Sequence, residues 1–420
     1  MSIFIKNIKK LVNVREAAPS APLRGEEMLS LPCLDGAWLL TEGDRISRLG
    51  RMQDLQPEEL EALELAADEV IDAEGRMVFP SYCDSHTHLV YAGSREMEFM
   101  DKLRGLSYQE IARRGGGILN SVELLHNTPE DDLLQQTLVR AWEIISLGTG
   151  AVEIKSGYGL TVEDEVKMLR AARRVEEETP LRVRTTFLGA HAVPARYKGN
   201  REGYVDEIVR EIMPAVAAEG LADYVDIFVE EGFFTVEDAS RIFEAAAKYG
   251  MVPKVHANQM SFSGGVQVGV RYGAASVDHL EFTGPEEFRV LQGSGTIATL
   301  LPGATFFLDM DYPKAKEMLE YDLPLAIASN YNPGSCPSGD MKFMMALAMI
   351  KMRLTPETVL NAATVNGAFA MGVASGYGSI TPGKKASLFI TKKIPSYEFV
   401  PYSFTSQLIE NIILNGKIYG

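Results

Sequence analysis

The sequence predicts an α/β fold in which a (β/α)8 barrel carries a small β-sandwich domain built from both chain ends. Two observations carry this prediction. Eight short apolar runs follow one another from residue 77 onward, separated by stretches of helical periodicity, and both ends of the chain contain strand-like segments instead. The length of 420 residues fits a barrel of about 250 residues with one smaller domain.

The N-terminal part of the small domain comes first. Residues 2–14 alternate apolar and polar side chains, and residues 35–50 form a second strand-like segment with turns at Asp35-Gly36 and Glu42-Gly43. Neither segment is followed by a predicted helix. We therefore assign residues 1–76 to this part of the small β domain.

The barrel is predicted from the repeated order of strand and helix. Helical periodicity is clear, for example, at residues 162–178 and 236–250. Eight such units indicate a closed parallel barrel over residues 77–378 and not an open doubly wound sheet. The eight apolar runs are MVFPSYCD, TGAVEIK, RVRTTFLG, YVDIFVE, VPKVHA, ASVDHLE, TIATLL and PLAIAS.

The C-terminal segment, residues 379–420, returns to strands without helices. It contains ASLFITKK and then LIENIILNGKIYG, whose Asn-Gly pair is a hairpin signal. We expect these strands to complete the small domain begun at the N-terminus.

Composition limits the classes of molecule that the protein is expected to bind. A formal net charge of −16 opposes binding to nucleic acid or anionic lipid, and no stretch has the length and hydrophobicity of a membrane span. Three scattered cysteines fit a reducing compartment better than a disulfide framework. The sequence therefore predicts a cytoplasmic protein that binds neither nucleic acid nor membranes.

Histidines mark the expected functional site. Of six histidines, five lie at the carboxyl ends of predicted barrel strands: His86, His88, His191, His256 and His279. Barrel enzymes build their active sites at that end, from the loops that follow the strands. The sixth, His126, is expected at the surface.

The spacing of these histidines predicts a metal site. His86 and His88 are two residues apart, so on a strand both side chains point to one face and can bind one ion. One of His256 and His279 can complete the ligand set, and the other can act as an acid, a base or an electrophile. Asn330 follows the last strand, where a carboxylate ligand would be expected, and a neutral amide cannot accept a proton from water.

Five longer motifs resemble the imidazolonepropionase family of the amidohydrolase superfamily. The segments GAHAVP, RRGGGI and KSGYGL are more specific to it than the H-x-H pair. The resemblance covers nearly the whole chain. The motifs are DSHTHLVYAGSRE at 84–96, SYQEIARRGGGI at 107–118, KSGYGL at 155–160, TTFLGAHAVP at 185–194 and LLPGATFFL at 300–308.

The resemblance implies a cyclic amidohydrolase with one divalent or trivalent metal ion, zinc or iron. His86, His88 and His256 would hold the metal, with Asn330 at the position of an aspartate ligand. Metal-activated water would open the ring of 4-imidazolone-5-propanoate to N-formimino-L-glutamate in histidine degradation. A homodimer is also implied.

Further roles are implied residue by residue. His279 and Gln259, with Asn330, are expected beside the scissile bond. Arg95 offers a forked cation for the propionate group of the substrate, which agrees with its chemistry. The substrate-binding positions implied are Arg95, Tyr158, His191, Asn332, Gly334 and Ser335.

Two alternatives remain open at this point. Because Asn330 replaces the metal aspartate, the chain could be a catalytically impaired protein that binds the imidazolone. It could also be a deaminase of a related heterocycle on the same barrel. Arg113 and Arg114 before the glycines at 115–117 predict either a loop over the site or a plain turn.

Overall fold

The computed structural model of the chain describes residues 1–105 and 117–419 and contains two sheets of eight strands each. The strands in chain order are Ser2–Val12 (β1), Cys33–Glu42 (β2), Arg45–Arg51 (β3), Glu69–Asp72 (β4), Met77–Pro80 (β5), Tyr82–Thr87 (β6), Thr149–Lys155 (β7), Arg182–Ala190 (β8), Tyr224–Val229 (β9), Val252–Ala257 (β10), Ser276–His279 (β11), Ile297–Leu300 (β12), Leu325–Ile327 (β13), Leu388–Thr391 (β14), Ile409–Leu414 (β15) and Lys417–Tyr419 (β16).

The first sheet joins the two chain ends. Its order is β16-β15-β14-β5-β1-β2-β3, with β4 paired to β1. The C-terminal strand β14 runs antiparallel to β5, and β5 runs parallel to β1. Apolar side chains at alternate positions of β1, such as Ile3 and Ile5, are buried in the core of this sheet. The predicted small β domain from both ends is confirmed, and its strands form one continuous hydrogen-bonded sheet.

The apolar run MVFPSYCD is divided between the two sheets. Its first half is β5, paired with β1 and β14, and only the second half, β6, is a barrel strand. The prediction that the whole run belongs to the barrel is therefore wrong. An apolar run shows that a strand is buried on both faces, but it does not show which sheet takes up its backbone hydrogen bonds.

The second sheet is the barrel. Strands β6 to β13 follow one another in chain order, and each neighbouring pair is parallel. Residues just after β13 connect the last strand to the first. The Asn330 amide donates to the His86 carbonyl at 3.0 Å, and the His88 amide donates to the Tyr331 carbonyl at 2.9 Å. The predicted barrel is confirmed, and Asn330 lies at its closure.

Helices surround the barrel and close its ends. Val162–Glu178 begins where the Thr161 hydroxyl accepts a hydrogen bond from the Asp164 amide, and three acidic residues lie in its first turn. Two helices in the terminal segments, Pro57–Ala66 and Phe399–Tyr402, were not predicted. None of the helices in the described part of the chain has both the length and the apolar character needed to cross a membrane. The remaining α-helices are Glu96–Leu103, Ile118–His126, Glu130–Ser146, Arg201–Glu207, Met213–Ala218, Val236–Ala246, Gly265–Arg271, Pro285–Leu291, Pro302–Leu308, Ala315–Glu320, Met341–Met352, Pro356–Asn361, Gly367–Ala370 and Phe399–Tyr402.

Candidate active site

Five histidines meet at the carboxyl end of the barrel. The rings of His86 and His256 have centroids 4.5 Å apart, and those of His256 and His279 are 5.3 Å apart. The His191 ring stacks on the His88 ring at 5.1 Å and 13°. All five side chains are buried. The structure therefore brings together the histidines that the sequence places at strand ends.

Two buried carboxylates orient two of these rings. The Nδ1 atom of His86 donates to Asp278 Oδ2 at 2.6 Å, and Nδ1 of His256 lies 3.0 Å from Asp226 Oδ2. Burial raises the pKa of Asp226, but His256 and Lys155 hold it well below its ordinary value. Burial also lowers the pKa of His86 and of His256. Both rings are therefore neutral, with Nδ1 protonated and a lone pair on Nε2.

Unpaired buried atoms at this site fit a metal ion. Nε2 of His86 and Oδ1 of Asn330 have no hydrogen-bond partner among the described residues. The Nε2 atoms of His88 and His256 lie 3.4 Å apart, close to the roughly 3.3 Å that two nitrogens at tetrahedral zinc bond distances would have. Imidazole nitrogens and an amide oxygen are suitable ligands for zinc or iron.

The nitrogens of the cluster form two overlapping groups. In each group the ligand atoms of three histidines lie within 4.8 Å of one another, and His256 belongs to both. His86 and His279 form one group with His256, whereas His88 and His191 form the other. The predicted ligands His86 and His88 thus fall on the two sides of His256.

His279 is held in an uncommon backbone conformation. Its φ is 86°, and φ of the following Leu280 is 72°. A positive φ at residues with side chains is strained and is often found where function requires a particular orientation. Nδ1 of His279 lies 3.8 Å from Glu281 Oε2, and neither atom has a hydrogen-bond partner among the described residues.

A cavity of about 540 Å³ opens above the histidines. Aromatic and aliphatic side chains, among them Phe228, Phe233 and Phe307, form much of its wall. His86 lies behind this wall and is fully buried. All other predicted site residues line the cavity: His88, Arg95, Tyr158, His191, His256, Gln259, His279, Asn330, Asn332, Gly334 and Ser335.

Arg95 forms an ion pair inside this cavity. Its Nη2 and Nε atoms donate to Glu98 Oε2 at 2.7 and 2.9 Å. Burial raises the pKa of Glu98, but the hydrogen bonds from Arg95 and Asn120 outweigh it, and the net pKa is lowered. The third nitrogen, Nη1, lies against Gly334. Arg95 is therefore paired with Glu98 and still lines the cavity wall.

Tyr158 and His191 present neutral polar groups to the cavity. Burial raises the pKa of the Tyr158 phenol above its ordinary value, although Arg95 opposes this, so the hydroxyl stays protonated. Burial and the neighbouring His256 lower the pKa of His191 to about 3. The Nδ1 atom of His191 donates to the Gly157 carbonyl at 3.1 Å, which leaves Nε2 as an acceptor. Gly157 has φ 110°, and a Cβ there would press on the His191 side chain.

Asn332 organises the loop after β13. Its Oδ1 atom accepts hydrogen bonds from the amides of Gly334 and Ser335, each at 2.8 Å, and its Nδ2 donates to Ser335 Oγ at 2.8 Å. Free backbone amides in such a turn could donate to a substrate carboxylate. In the structure they already donate to Asn332, because this Asx-type turn folds back on itself.

Asn258 stabilises a neighbouring loop. Its Nδ2 donates to the Phe282 carbonyl at 2.9 Å, and its Oδ1 accepts from Ser263 Oγ at 3.1 Å. The His256 ring is contacted by Asp226 and not by the Asn258 side chain, which these two bonds occupy. Gln259, one residue on, lines the cavity with 9% of its surface exposed.

Several charged residues beneath the histidines were not predicted from the sequence. Glu153, Lys155, Asp226, Lys254 and Asp278 are buried inside the barrel. A signal for two of them exists, because Asp226 and Lys254 have the same parity along their strands as the cavity-lining Phe228 and His256. Lys254, for example, is two residues from His256.

The remaining residues considered in the sequence lie away from the cavity or outside the described residues. Cys336, which follows the turn of Asn332, is buried, and burial raises the pKa of its thiol to about 12. His126 is at the surface, with 69% of its side chain exposed and paired with Asp164. Arg113, Arg114 and the first two glycines of the triple-glycine run lie outside the described residues.

Comparisons with known proteins agree with this geometry. The model of the amidohydrolase family matches residues 77–419. The imidazolonepropionase of Flavobacterium johnsoniae is 50% identical over 418 residues, covering 100% of both chains. The chain belongs to the imidazolonepropionases of the amidohydrolase family. A similar relationship holds for the imidazolonepropionases of Christiangramia forsetii, at 49% identity with both chains fully covered, and Alkaliphilus metalliredigens, at 36% identity over 100% of this chain and 98% of that one.

Solved structures resemble this amidohydrolase in fold alone. A triazine hydrolase variant has a TM-score of 0.73 at 14% identity and covers 99% of this chain and 94% of its own. The 5-methylcytosine deaminase of Klebsiella pneumoniae has a TM-score of 0.72 at 18% identity, over 100% of this chain and 98% of its own. The fold is therefore shared by hydrolases and deaminases, and it does not distinguish between them.

Proposed function

We propose that this protein is an imidazolonepropionase that hydrolyses the ring amide of 4-imidazolone-5-propanoate to N-formimino-L-glutamate in histidine degradation. The observation that carries the proposal is one cavity with a histidine cluster at its base and Arg95 on its wall. This pairs a hydrolytic centre with a cation for the propionate tail. The full-length similarity to proteins named imidazolonepropionase supports it.

His86, His88, His256 and Asn330 would hold one zinc or iron ion. When bound, such an ion activates water and polarises a carbonyl. Arg95 would bind the propionate group through charge-assisted hydrogen bonds. Tyr158 and His191 would bind the ring, one as a hydroxyl donor and the other as a neutral acceptor. Asn332 would hold the turn at Gly334 and Ser335 in shape against the substrate.

Proton transfer would fall to His279. The amide of Asn330 has no basic lone pair, so it cannot take up a proton as a carboxylate can. His279 lines the same cavity and is held in place by its strained backbone. Gln259 would orient the substrate beside it.

A second candidate function is supported by Asn330 itself. Without a carboxylate at this position, the protein could bind the imidazolone and turn it over slowly or not at all. Loss of a positioned base costs roughly 10²- to 10⁴-fold in rate. Deaminase activity on a related heterocycle has no specific observation in its favour.

The test compares the wild type with Asn330→Asp, each reconstituted with zinc or iron(II). We expect ring opening by the wild type, measured as N-formimino-L-glutamate formed, and bound metal near one equivalent by elemental analysis. No turnover in the metal-loaded wild type with recovery in Asn330→Asp would show that the chain is an impaired homologue. Ammonia release from cytosine or guanine would instead indicate a deaminase.

The cellular setting is also proposed. The three cysteines of the chain are free, which suits a reducing cytoplasm. We propose a homodimer, to be checked by light scattering at enzyme concentrations used for the assay.

A further inference from the structure

The barrel interior below the histidines contains an unusual number of charges. Glu153 and Lys155 lie on β7, Asp226 on β9, Lys254 on β10 and Asp278 on β11, and each is at most 1% exposed. Buried charges are costly unless they are paired and hydrogen-bonded. Their pairing is therefore expected to serve a purpose beyond filling the barrel.

Lys155 lies between two carboxylates that each contact a histidine. Its Nζ atom is 2.8 Å from Asp226 Oδ2 and 3.8 Å from Asp278 Oδ2. Asp278 continues to His86 Nδ1 at 2.6 Å, and Asp226 continues to His256 Nδ1 at 3.0 Å. The resulting chain of contacts runs from one proposed metal ligand to the other through Lys155.

The proposed metal donors carry no negative charge of their own. Three imidazoles and the amide of Asn330 are all neutral, so a bound cation would find no anionic ligand among them. Asp226 and Asp278 are carboxylates that each contact a ring of this set. Three buried carboxylates, including Glu153, face two ammonium groups, which leaves one negative charge in excess.

We infer that Lys155, Asp226 and Asp278 form a buried charge bridge that orients His86 and His256 and supplies negative charge beside a neutral set of metal donors. Lys155 is then a positioning residue, since it touches neither the substrate nor the metal. Its ammonium contacts the same carboxylate oxygens that contact Nδ1 of His256 and His86, which leaves Nε2 of each ring to face the site. This inference rests on the proposed metal site.

The charge bridge is tested by metal affinity, which is measured separately from enzyme activity. We would measure zinc affinity by chelator competition, and the visible spectrum of the cobalt(II)-loaded protein, for the wild type, Asp278→Asn, Asp226→Asn and Lys155→Met. Loss of such an outer partner weakens metal binding roughly 10- to 100-fold. We expect this loss in each variant, with a changed cobalt spectrum. The matched control is Lys384→Met, which removes another buried lysine whose Nζ binds the Tyr377 carbonyl, and its zinc affinity should equal that of the wild type.

A folding defect would also appear in the metal-free variants, so their folding is compared with that of the metal-free wild type. This separates a loss of folding from a loss of metal affinity. Asp278→Asn keeps an oxygen acceptor for His86 and removes only the charge, so it is the variant expected to fold when Lys155→Met does not. Adding Asn330→Asp to Asp278→Asn should recover at least part of the affinity, because it returns a carboxylate to the donors. Wild-type zinc affinity in a folded Asp278→Asn variant would overturn the charge bridge.

The proposed function and the charge bridge can fail separately. A wild type that binds zinc but does not open the imidazolone ring contradicts the proposed function, and the affinity series still tests the bridge. An active enzyme whose zinc affinity is insensitive to Asp226→Asn and Asp278→Asn contradicts the bridge alone. A wild type that binds no metal overturns the bridge as well.

Discussion

Arg95 owes its position to the absence of a side chain at Gly334. A Cβ at this glycine would overlap the guanidinium, with Cζ of Arg95 at 2.6 Å. Glu98 holds the other edge of the guanidinium through two hydrogen bonds. The group is thus fixed between a carboxylate and a bare stretch of backbone, which prepares it to donate hydrogen bonds to a second carboxylate in the cavity.

Gly334→Ala should weaken substrate binding with little effect on the chemical step. Displacement of Arg95 would remove charge-assisted hydrogen bonds, and we expect KM for 4-imidazolone-5-propanoate to rise roughly 10- to 100-fold. Steady-state kinetics would measure KM and kcat separately. The control is Gly376→Ala, whose added methyl would meet only Lys385 Cγ at 3.5 Å and the Val373 carbonyl at 3.9 Å. A fall in kcat at unchanged KM would contradict this role of Gly334.

At the scale of elements, Asp84 connects the first barrel strand to the last. Its Oδ1 accepts from the Ser329 amide at 2.9 Å, and its Oδ2 accepts from the Ser329 hydroxyl at 2.5 Å. The backbone bonds of Asn330 and Tyr331 to β6 follow directly. The side chain of Asp84 therefore helps to place Asn330 next to His86 and His88.

Asp84→Asn should change how stability depends on pH. Burial raises the pKa of Asp84 from 3.8 to about 6, although the hydrogen bonds from Ser329 oppose the rise. The folded state thus prefers the protonated form, and stability is lost as pH rises from the unfolded to the folded pKa. The loss reaches about 3 kcal/mol above pH 6.

The asparagine side chain at position 84 cannot ionise, so Asp84→Asn should not lose this folding stability as the pH rises. Between pH 4.5 and 7.5, the stability of Asp84→Asn relative to the wild type should therefore increase. Urea unfolding of the metal-free proteins at several pH values would measure it. If the free energies of unfolding of the two proteins changed with pH in the same way, Asp84 would not ionise in this range.

At the scale of the whole molecule, the sequence predicts the architecture because periodicity and order are local signals. Strand and helix alternation specified the barrel, and the strands at both ends specified the small domain. Placement of β5 failed, because its partners β1 and β14 lie far away in sequence. Local patterns cannot identify such long-range pairing.

The same limit applies to the site. Histidines at strand ends are expected to meet, because the carboxyl ends of a parallel barrel converge. The carboxylates Asp226 and Asp278 lie within strands, so their contacts with His256 and His86 depend on the register between strands. The turn after Asn332 is a local signal of the sequence, but its place on the cavity wall depends on the packing of the whole barrel.

Lys384 connects the small domain to the end of the barrel. Its backbone carbonyl accepts from the Ile46 amide at 2.9 Å, in β3, and its Nζ donates to the Tyr377 carbonyl at 2.7 Å. The residue is 3% exposed. Burial lowers the pKa of Lys384 from 10.5 to about 8, with a smaller opposing effect from Cys83.

Lys384→Met should therefore stabilise the junction near neutral pH. The lowered pKa means that the folded state disfavours the ammonium, so stability present above pH 10.5 is lost as pH falls through about 8. Below that pH the buried ammonium costs the folded state about 3 kcal/mol. Lys384→Met removes this cost, but it loses about 1 kcal/mol with the hydrogen bond to Tyr377.

Thermal unfolding at pH 7 and pH 9.5 measures this effect. It should show a higher Tm for the variant than for the wild type at pH 7, and a smaller difference at pH 9.5. Lys385→Met, which removes a more exposed lysine paired with Asp44, should show no such gain. A Tm difference that is equal at both pH values would mean that removal of the buried charge is not what stabilises the variant.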